Sequence, residues 1–170
     1  MTTKFIPMIA GAAILAGCAT AYQSEGLSGG FTETQLDTNV WRVSFRGNGY
    51  TRSEKAEDFA MLRSAELALS NGYTHFAFAN SRSSSQTSTM TTPVTSHTTG
   101  SANVYGNSIY GSATTKTYGG DTYSISKPES TNTVVMFKGK PDVGGMVYSA
   151  VFVCDSLGKK YQVVCNAPKK

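Results

Sequence analysis

The segment from residue 40 to residue 79 constrains the fold of this chain more than any other stretch, because pattern, turn residues and length agree there. Within residues 40–46, the apolar side chains of Trp41, Val43 and Phe45 alternate with polar ones. Period-2 alternation of β-branched and aromatic residues is typical of a strand with one buried face. The pattern therefore predicts a half-buried strand over residues 40–46.

A helix is predicted after this strand, over about residues 53–70. Thr51 and Glu54 have the spacing of a capping box, and Ser53 competes with Thr51 for the N-cap position. Asn71-Gly72 supplies a left-handed helix stop. An apolar stripe along one side of the helix predicts packing against a sheet, and it is formed by Ala56, Phe59, Ala60 and Leu67, flanked by Leu62 and Leu69.

Arg63 lies inside this apolar stripe, and Glu66 follows three positions later. A buried charge is normally paired, and residues three apart on a helix are neighbours. We therefore predict a structural ion pair between Arg63 and Glu66 in preference to an anion-binding site.

Two further strands are predicted, over residues 73–79 and 133–138. His75 stands alone on the first of them, where a structural role is the more common one. Together the segments predict an α+β fold with a mostly antiparallel sheet and one main helix packed on one face. We assign residues 40–166 to this single domain.

The N-terminal residues have the organisation of an export signal. Lys4 precedes an apolar run over residues 5–16, which is too short for the roughly 20 residues that span a bilayer. The run ends in Leu15-Ala16-Gly17-Cys18, which resembles the lipobox of bacterial lipoproteins. That resemblance implies cleavage between Gly17 and Cys18, a signal peptide over residues 1–17 and lipidation of Cys18. The alternative is an ordinary signal peptide with an incidental cysteine.

Residues 18–39 are polar, contain glycine and have little pattern, so we expect the lipidated cysteine to be followed by a flexible tether. Gly26-Leu27-Ser28-Gly29-Gly30 matches the nucleophile elbow of hydrolases, but no helix is predicted after it, so we interpret the match as chance. Gly47-Asn48-Gly49 lacks the remaining residues of a phosphate-binding loop and is interpreted as a plain turn.

The chain resembles a family of small uncharacterised lipoproteins of Caulobacter-type bacteria. The resemblance lies in the segments 41–51, 56–66 and 71–76 and in Ser-Lys-Pro around Lys127. The resemblance implies a location in the cell envelope and the α+β architecture, but it does not imply a catalytic activity. Ala19, in place of an aspartate after the lipidated cysteine, implies sorting to the outer membrane, with the domain facing the periplasm.

Residues 80–132 form a low-complexity insertion. Of the 21 residues from 81 to 101, 14 are Ser or Thr, and tyrosines follow at positions 105, 110, 118 and 123. Such a sequence forms long polar hairpins or stays disordered. A Tyr-rich hairpin could bind glycan or peptidoglycan by stacking, and a solvated hairpin without a ligand is the alternative. His97 has no partner at metal-ligand spacing.

The C-terminal part contains Cys154 and Cys165, which are expected to form a disulfide in an oxidising compartment, with two free thiols as the alternative. Residues 148–157 have the β-branched content of a strand, but Gly158 is a helix stop signal. The family resemblance also suggests a helix here. We therefore predict a short C-terminal helix, followed by a last strand over residues 161–165.

Composition limits the classes of function. The net charge is +4, and the basic residues are scattered, whereas a nucleic-acid partner would need a clustered basic face. Apart from the carboxylates of the helix, no acid–base or nucleophile set converges, so we expect no enzyme, cofactor or metal site. The leading hypothesis is a non-enzymatic, lipid-anchored envelope protein with a structural or interaction domain. The alternative is an envelope glycan- or peptidoglycan-binding module.

Overall fold

The computed structural model describes residues 18–165. The predicted signal peptide over residues 1–17, with Gly17 of the cleavage site, lies outside the described residues. The elements in chain order are β1 (Gly30–Asp37), β2 (Val40–Arg46), α1 (Ser53–Ser70), β3 (His75–Thr91), β4 (Thr95–Tyr105), β5 (Ser108–Tyr118), β6 (Thr122–Phe137), β7 (Val147–Ser149) and α2 (Ala150–Tyr161).

Five strands form a curled antiparallel sheet in the order β1-β2-β6-β3-β7, and β4 and β5 form a separate hairpin. Because β2 and β3 are both antiparallel to β6, they run parallel to each other on its two sides, and α1 connects them across the sheet. The predicted α+β fold, with the main helix over residues 53–70 and a short C-terminal helix, is confirmed.

The core lies between α1 and the inner face of the sheet, where Val43 and Phe45 are buried beneath the helix. The predicted stripe is the buried face of α1, because Ala56, Phe59 and Ala60 are 2% exposed or less. The strands β6 and β3 complete the core with Val134, Met136 and Phe76.

The prediction of a flexible tether over residues 18–39 is wrong for most of its length. Residues 30–37 form β1, which pairs with β2 along its whole length. Thr20 is only 1% exposed. The strand escaped prediction because two of its residues that oppose inward-facing positions of β2 are polar, namely Glu33 opposite Val43 and Gln35 opposite Trp41. Apolar alternation is therefore absent from its sequence.

The predicted N-cap is also wrong. Arg52 occupies this position and makes no side-chain cap hydrogen bond. The Thr51 hydroxyl is engaged instead in a small network with Thr20 and Asn48, in which it accepts from the Thr20 amide at 3.1 Å. Thr51 therefore holds the N-terminal segment to the body of the protein, and does not cap the helix.

The last predicted strand, over residues 161–165, is absent, since α2 continues to Tyr161. Gln162 then adopts a left-handed conformation with φ 55°, and the chain turns back so that the Val163 amide donates to the Gly158 carbonyl at 2.9 Å. The predicted disulfide between Cys154 and Cys165 is present, with the Cα atoms 5.6 Å apart. It secures the end of the described chain to α2.

The insertion over residues 80–132 is built of strands. β3 begins at His75, two residues later than predicted, and runs on to Thr91, paired with β6 as far as Thr122. The last pair between β2 and β6 is Arg46 with Glu129. Beyond that pair, residues 85–91 and 122–128 continue as a two-stranded ribbon, which leads into the hairpin of β4 and β5.

Candidate functional site

Cys18, the predicted lipidation site, lies at the start of the described chain. The residue is exposed, and its carbonyl accepts a hydrogen bond from Asn48 Nδ2 at 2.8 Å. Only Ala19 separates it from the buried Thr20, whose hydroxyl donates to the Ser28 carbonyl at 2.6 Å. A lipid on Cys18 would therefore be joined almost directly to the folded domain.

The ribbon leaves the body at the end of the sheet where Cys18 lies. The loop after β2 packs against the start of β6, because the Gly47 amide donates to the Pro128 carbonyl at 2.8 Å. A Cβ atom at Gly49 would lie 2.6 Å from Cγ2 of Ile125, so only glycine fits there without movement. Since Asn48 of the same loop binds Cys18, the candidate lipid-attachment point and the ribbon are neighbours.

The hairpin of β4 and β5 has two chemically different faces. Directly paired residues point to the same side of a two-stranded sheet, and successive residues point to opposite sides. One face, which we call the apolar hairpin face, is formed by the pairs Gly100 with Ala113, Ala102 with Gly111 and Val104 with Ile109. The other, the tyrosine face, carries Tyr105, Tyr110 and Tyr118 together with His97 and Lys116.

The tip of the hairpin is a two-residue loop, in which Gly106 has φ 60°. A glycine with positive φ at the first loop position is typical of the type II′ turn, whose twist matches that of the flanking strands. Every residue of β4 and β5 is exposed. Both faces and both edges of the hairpin are therefore open to a partner.

The tyrosine face contains a cavity of about 590 Å³ near the base of the hairpin. Its lining includes His97, Lys116 and Tyr118, with threonines around them. Hydroxyl and cationic donors beside an aromatic ring form an arrangement that suits a polar, ring-containing ligand. A second cavity, of about 370 Å³, lies on the sheet surface between Arg42, Arg82 and Glu129 and carries charges of both signs.

A group of four linked polar side chains in the body is partly buried: the Glu66 side chain is 2% exposed, that of Arg63 21% and that of Glu33 28%. Arg63 contacts Glu66 at 2.9 Å and Glu33 at 2.7 Å, and the Tyr22 hydroxyl donates to Glu66 at 2.6 Å. The guanidinium also lies 4.3 Å from the ring centroid of Phe31. The predicted pair of Arg63 with Glu66 is thus present, and sequence reasoning missed Tyr22 and Glu33.

The electrostatics of this group favour a structural role. Burial, reinforced by the hydrogen bond to Glu66, raises the pKa of Tyr22 above its ordinary value, so the hydroxyl remains a donor. Burial opposes the charge of Arg63, but hydrogen bonds to Glu33 and Glu66 outweigh it and raise the pKa of Arg63. The group joins the segment before β1 to β1 itself and to α1. The sequence did contain a signal for Glu33: an arginine within an apolar helical stripe needs carboxylate partners, and Glu33 is the second one that Arg63 contacts.

The two motif matches do not form catalytic or phosphate sites. Ser28 lies in a turn that is followed by β1, whereas a nucleophile elbow requires a helix after the serine. The Asn48 amide donates to Thr20 and Thr51 hydroxyls, so it is not directed at a ligand. Within residues 18–165, no group of three or more His, Cys, Asp or Glu side chains is placed to hold a metal ion. No helix of this part of the chain is long and apolar enough to cross a membrane.

These features define the class of the protein: an α+β domain with a curled antiparallel sheet, a main helix and a projecting hairpin. No family model, curated protein or solved structure matches the chain.

Proposed function

We propose that the chain is a non-enzymatic, lipid-anchored protein of the bacterial cell envelope. Its domain faces the periplasm and acts by contact with other envelope components. The observation that carries the proposal is the place of Cys18, which ends the lipobox-like sequence and is exposed immediately before the first buried residue of the fold. The resemblance to Caulobacter-type lipoproteins and the residue Ala19 support the outer membrane as the site of anchoring.

The physical consequence of this anchor is firm attachment. One buried acyl chain gives only marginal, reversible binding to a bilayer, whereas two or more signals give stable anchoring. Lipidation of this kind places several chains on one residue. A protein held in this way acts near the membrane, and its long exposed hairpin is the part of the domain best placed to meet a partner.

Substitution of Cys18 by serine should make the protein extractable from the membrane by an alkaline carbonate wash, because only the lipid anchor resists such a wash. We expect the unsubstituted chain in the membrane fraction after an alkaline carbonate wash, and Cys18→Ser in the soluble fraction. Mass spectrometry of the mature N-terminus should detect acyl groups only in the unsubstituted chain. Leu27→Ser is the matched control, since Leu27 is fully exposed nearby and should leave anchoring unchanged. An unmodified terminus that begins at another residue would overturn the proposal.

A second candidate function is the binding of envelope glycan by the tyrosine face. Two observations favour it: Tyr105, Tyr110 and Tyr118 lie on the same face of the hairpin, and a cavity lies beside Tyr118. Aromatic rings and hydroxyl groups together suit the apolar and polar faces of sugars.

Retention on purified peptidoglycan would test this candidate. We expect Tyr110→Ser/Tyr118→Ser to lower the binding constant for peptidoglycan about 30-fold, by loss of two stacking contacts of roughly 1 kcal/mol each. Tyr50→Ser is the control, because Tyr50 is 74% exposed but lies outside the hairpin. Absence of retention, or an equal loss in the control, would remove glycan binding from consideration.

A further inference from the structure

We propose that the apolar hairpin face rests on the surface of a phospholipid bilayer and gives the protein a second membrane contact, made by the polypeptide itself. The bilayer is inferred as the partner because of the proposed lipid anchor, so this part rests on the proposed function. The apolar hairpin face is inferred as the contact surface because of the register of β4 and β5.

The register concentrates apolar groups on one side of the hairpin. Three successive cross-strand pairs, from Gly100 with Ala113 to Val104 with Ile109, contain no polar side chain on this side. On the opposite side, the pairs over the same length carry Ser, Thr, Asn and Tyr. The hairpin is therefore amphipathic in its outer half, as an element lying in the membrane interface must be.

The apolar side chains are uncovered in the described chain. Val104 is 68% exposed and Ile109 is 73% exposed. They lie beside the turn at Gly106, at the end farthest from the body. Tyr105 and Tyr110 lie on the opposite face, which is turned toward water in this arrangement.

Charge does not oppose contact with lipid. Residues 95–118 contain no Asp or Glu, and Lys116 and His97 are their only basic side chains. Both lie near the base of the hairpin and on the tyrosine face. The apolar hairpin face can therefore approach neutral or anionic headgroups without burying a charge.

The ribbon that carries the hairpin leaves the body at the same end as Cys18. The ribbon leaves the sheet beside the loop that binds Cys18. Each strand of the hairpin has 11 residues, which at about 3.3 Å per residue extends roughly 36 Å. The ribbon that starts beside the loop binding Cys18 continues into this hairpin, so a hairpin of that length lies within reach of a bilayer that holds a lipid on Cys18.

A second copy of the chain is the other candidate for this face, and its small area argues against it. The face comprises six residues, four of them Gly or Ala. Stable protein interfaces use roughly 20–30 residues on each side. A bilayer needs no complementary shape, and it can accept a narrow apolar strip.

Vesicle binding of the unlipidated protein tests the inference. The test protein begins at residue 18 and carries Cys18→Ser, so it cannot be acylated there but includes the whole described fold. We expect it to sediment with phosphatidylcholine vesicles, and to do so comparably when phosphatidylglycerol is added. Val104→Thr/Ile109→Thr replaces two apolar groups by hydroxyls and should lower the partition coefficient about tenfold.

The control is Val143→Thr/Val151→Thr, which changes two valines that are 48% and 53% exposed elsewhere. It should bind vesicles like the parent chain, and both variants should keep the parental melting temperature. Three results would overturn the inference: no sedimentation of the parent, an equal loss in the control, or binding that requires anionic lipid and disappears in high salt. Dimerisation that is abolished by Val104→Thr/Ile109→Thr, without vesicle binding, would assign the face to a second copy.

Failure here and failure of the proposed anchoring are separate results. The vesicle experiment uses a chain that cannot be acylated at residue 18, so a negative outcome leaves lipidation of Cys18 untouched. An unmodified N-terminus in cells would, conversely, leave the vesicle measurement standing.

Discussion

Substitution of Phe59 by alanine is expected to lower the free energy of unfolding by about 3–5 kcal/mol, which is the usual cost of removing a buried aromatic side chain. Phe59 is 2% exposed and lies at the centre of an aromatic cluster. Its ring centroid is 5.2 Å from that of Tyr22, 5.0 Å from that of Phe45 and 4.9 Å from that of Tyr161. The cavity left behind would therefore loosen the N-terminal segment, β2 and α2 at once.

Denaturant titration and thermal melting would measure this effect. A loss of this size should lower the melting temperature by roughly 10 °C in a chain of this length. Phe152→Ala is a matched control with the same change of side chain, because Phe152 is 72% exposed on α2. It should change stability by no more than about 0.5 kcal/mol. Equal effects of the two substitutions would show that the aromatic cluster does not join these elements.

Replacement of Arg63 by methionine is expected to cost about 3 kcal/mol. Removal of one partner of a buried ion pair typically costs roughly 3–5 kcal/mol, and the partial exposure of Arg63 places this case at the low end. The Glu66 side chain is 2% exposed, so water cannot replace the guanidinium. Methionine keeps most of the length of the side chain, and the loss therefore reports mainly on charge.

The double variant Arg63→Met/Glu66→Leu distinguishes a buried charge from simple loss of packing. Replacing both partners by apolar groups is often neutral, so it should recover much of the stability lost in Arg63→Met. Lys160→Met breaks the exposed pairs with Glu54 and Asp58 and should have little effect on the melting temperature. If Arg63→Met and Lys160→Met behave alike, the interior does not depend on the Arg63–Glu66 pair.

Local pattern was sufficient to predict the centre of this fold. β2 has the bounds expected from the alternation of Trp41, Val43 and Phe45, and α1 ends where Asn71-Gly72 stops it. These elements bury an apolar face against each other, so their burial is visible in the spacing of apolar residues. The N-cap was missed because Thr51 has a partner, Thr20, that lies 31 positions away.

β1 could not be predicted because tertiary pairing compensates for its polar residues. Glu33 opposes inward-facing Val43 on an edge strand, where it meets Arg63 of α1 and also stays exposed to solvent. A polar residue in a strand is a poor sign of burial unless its distant partner is known. The same reason explains why residues 18–39 suggested a tether.

The insertion was ambiguous for a different reason. Residues of β4 and β5 are exposed on both faces, so no core selects their register or decides between order and disorder. Sequence reasoning identified the tyrosines but missed the apolar hairpin face. Its signal is present in the sequence as Gly100, Ala102 and Val104 before the turn and Ile109, Gly111 and Ala113 after it. The apolar face can be recognised only when the position of the turn at Gly106 is known, because the turn determines which residues of the two strands are paired.

The central position of β6 has a consequence for the order in which the chain folds. β6 lies between β2 and β3 but comes late in the sequence, and the hydroxyls of Ser44 and Thr131 that meet across it are 87 positions apart. Until β6 has been synthesised, β2 and β3 lack the neighbour that joins them. Contacts between such distant residues form slowly compared with local ones. A nascent chain therefore cannot complete its sheet until β6, which ends at Phe137, has been synthesised.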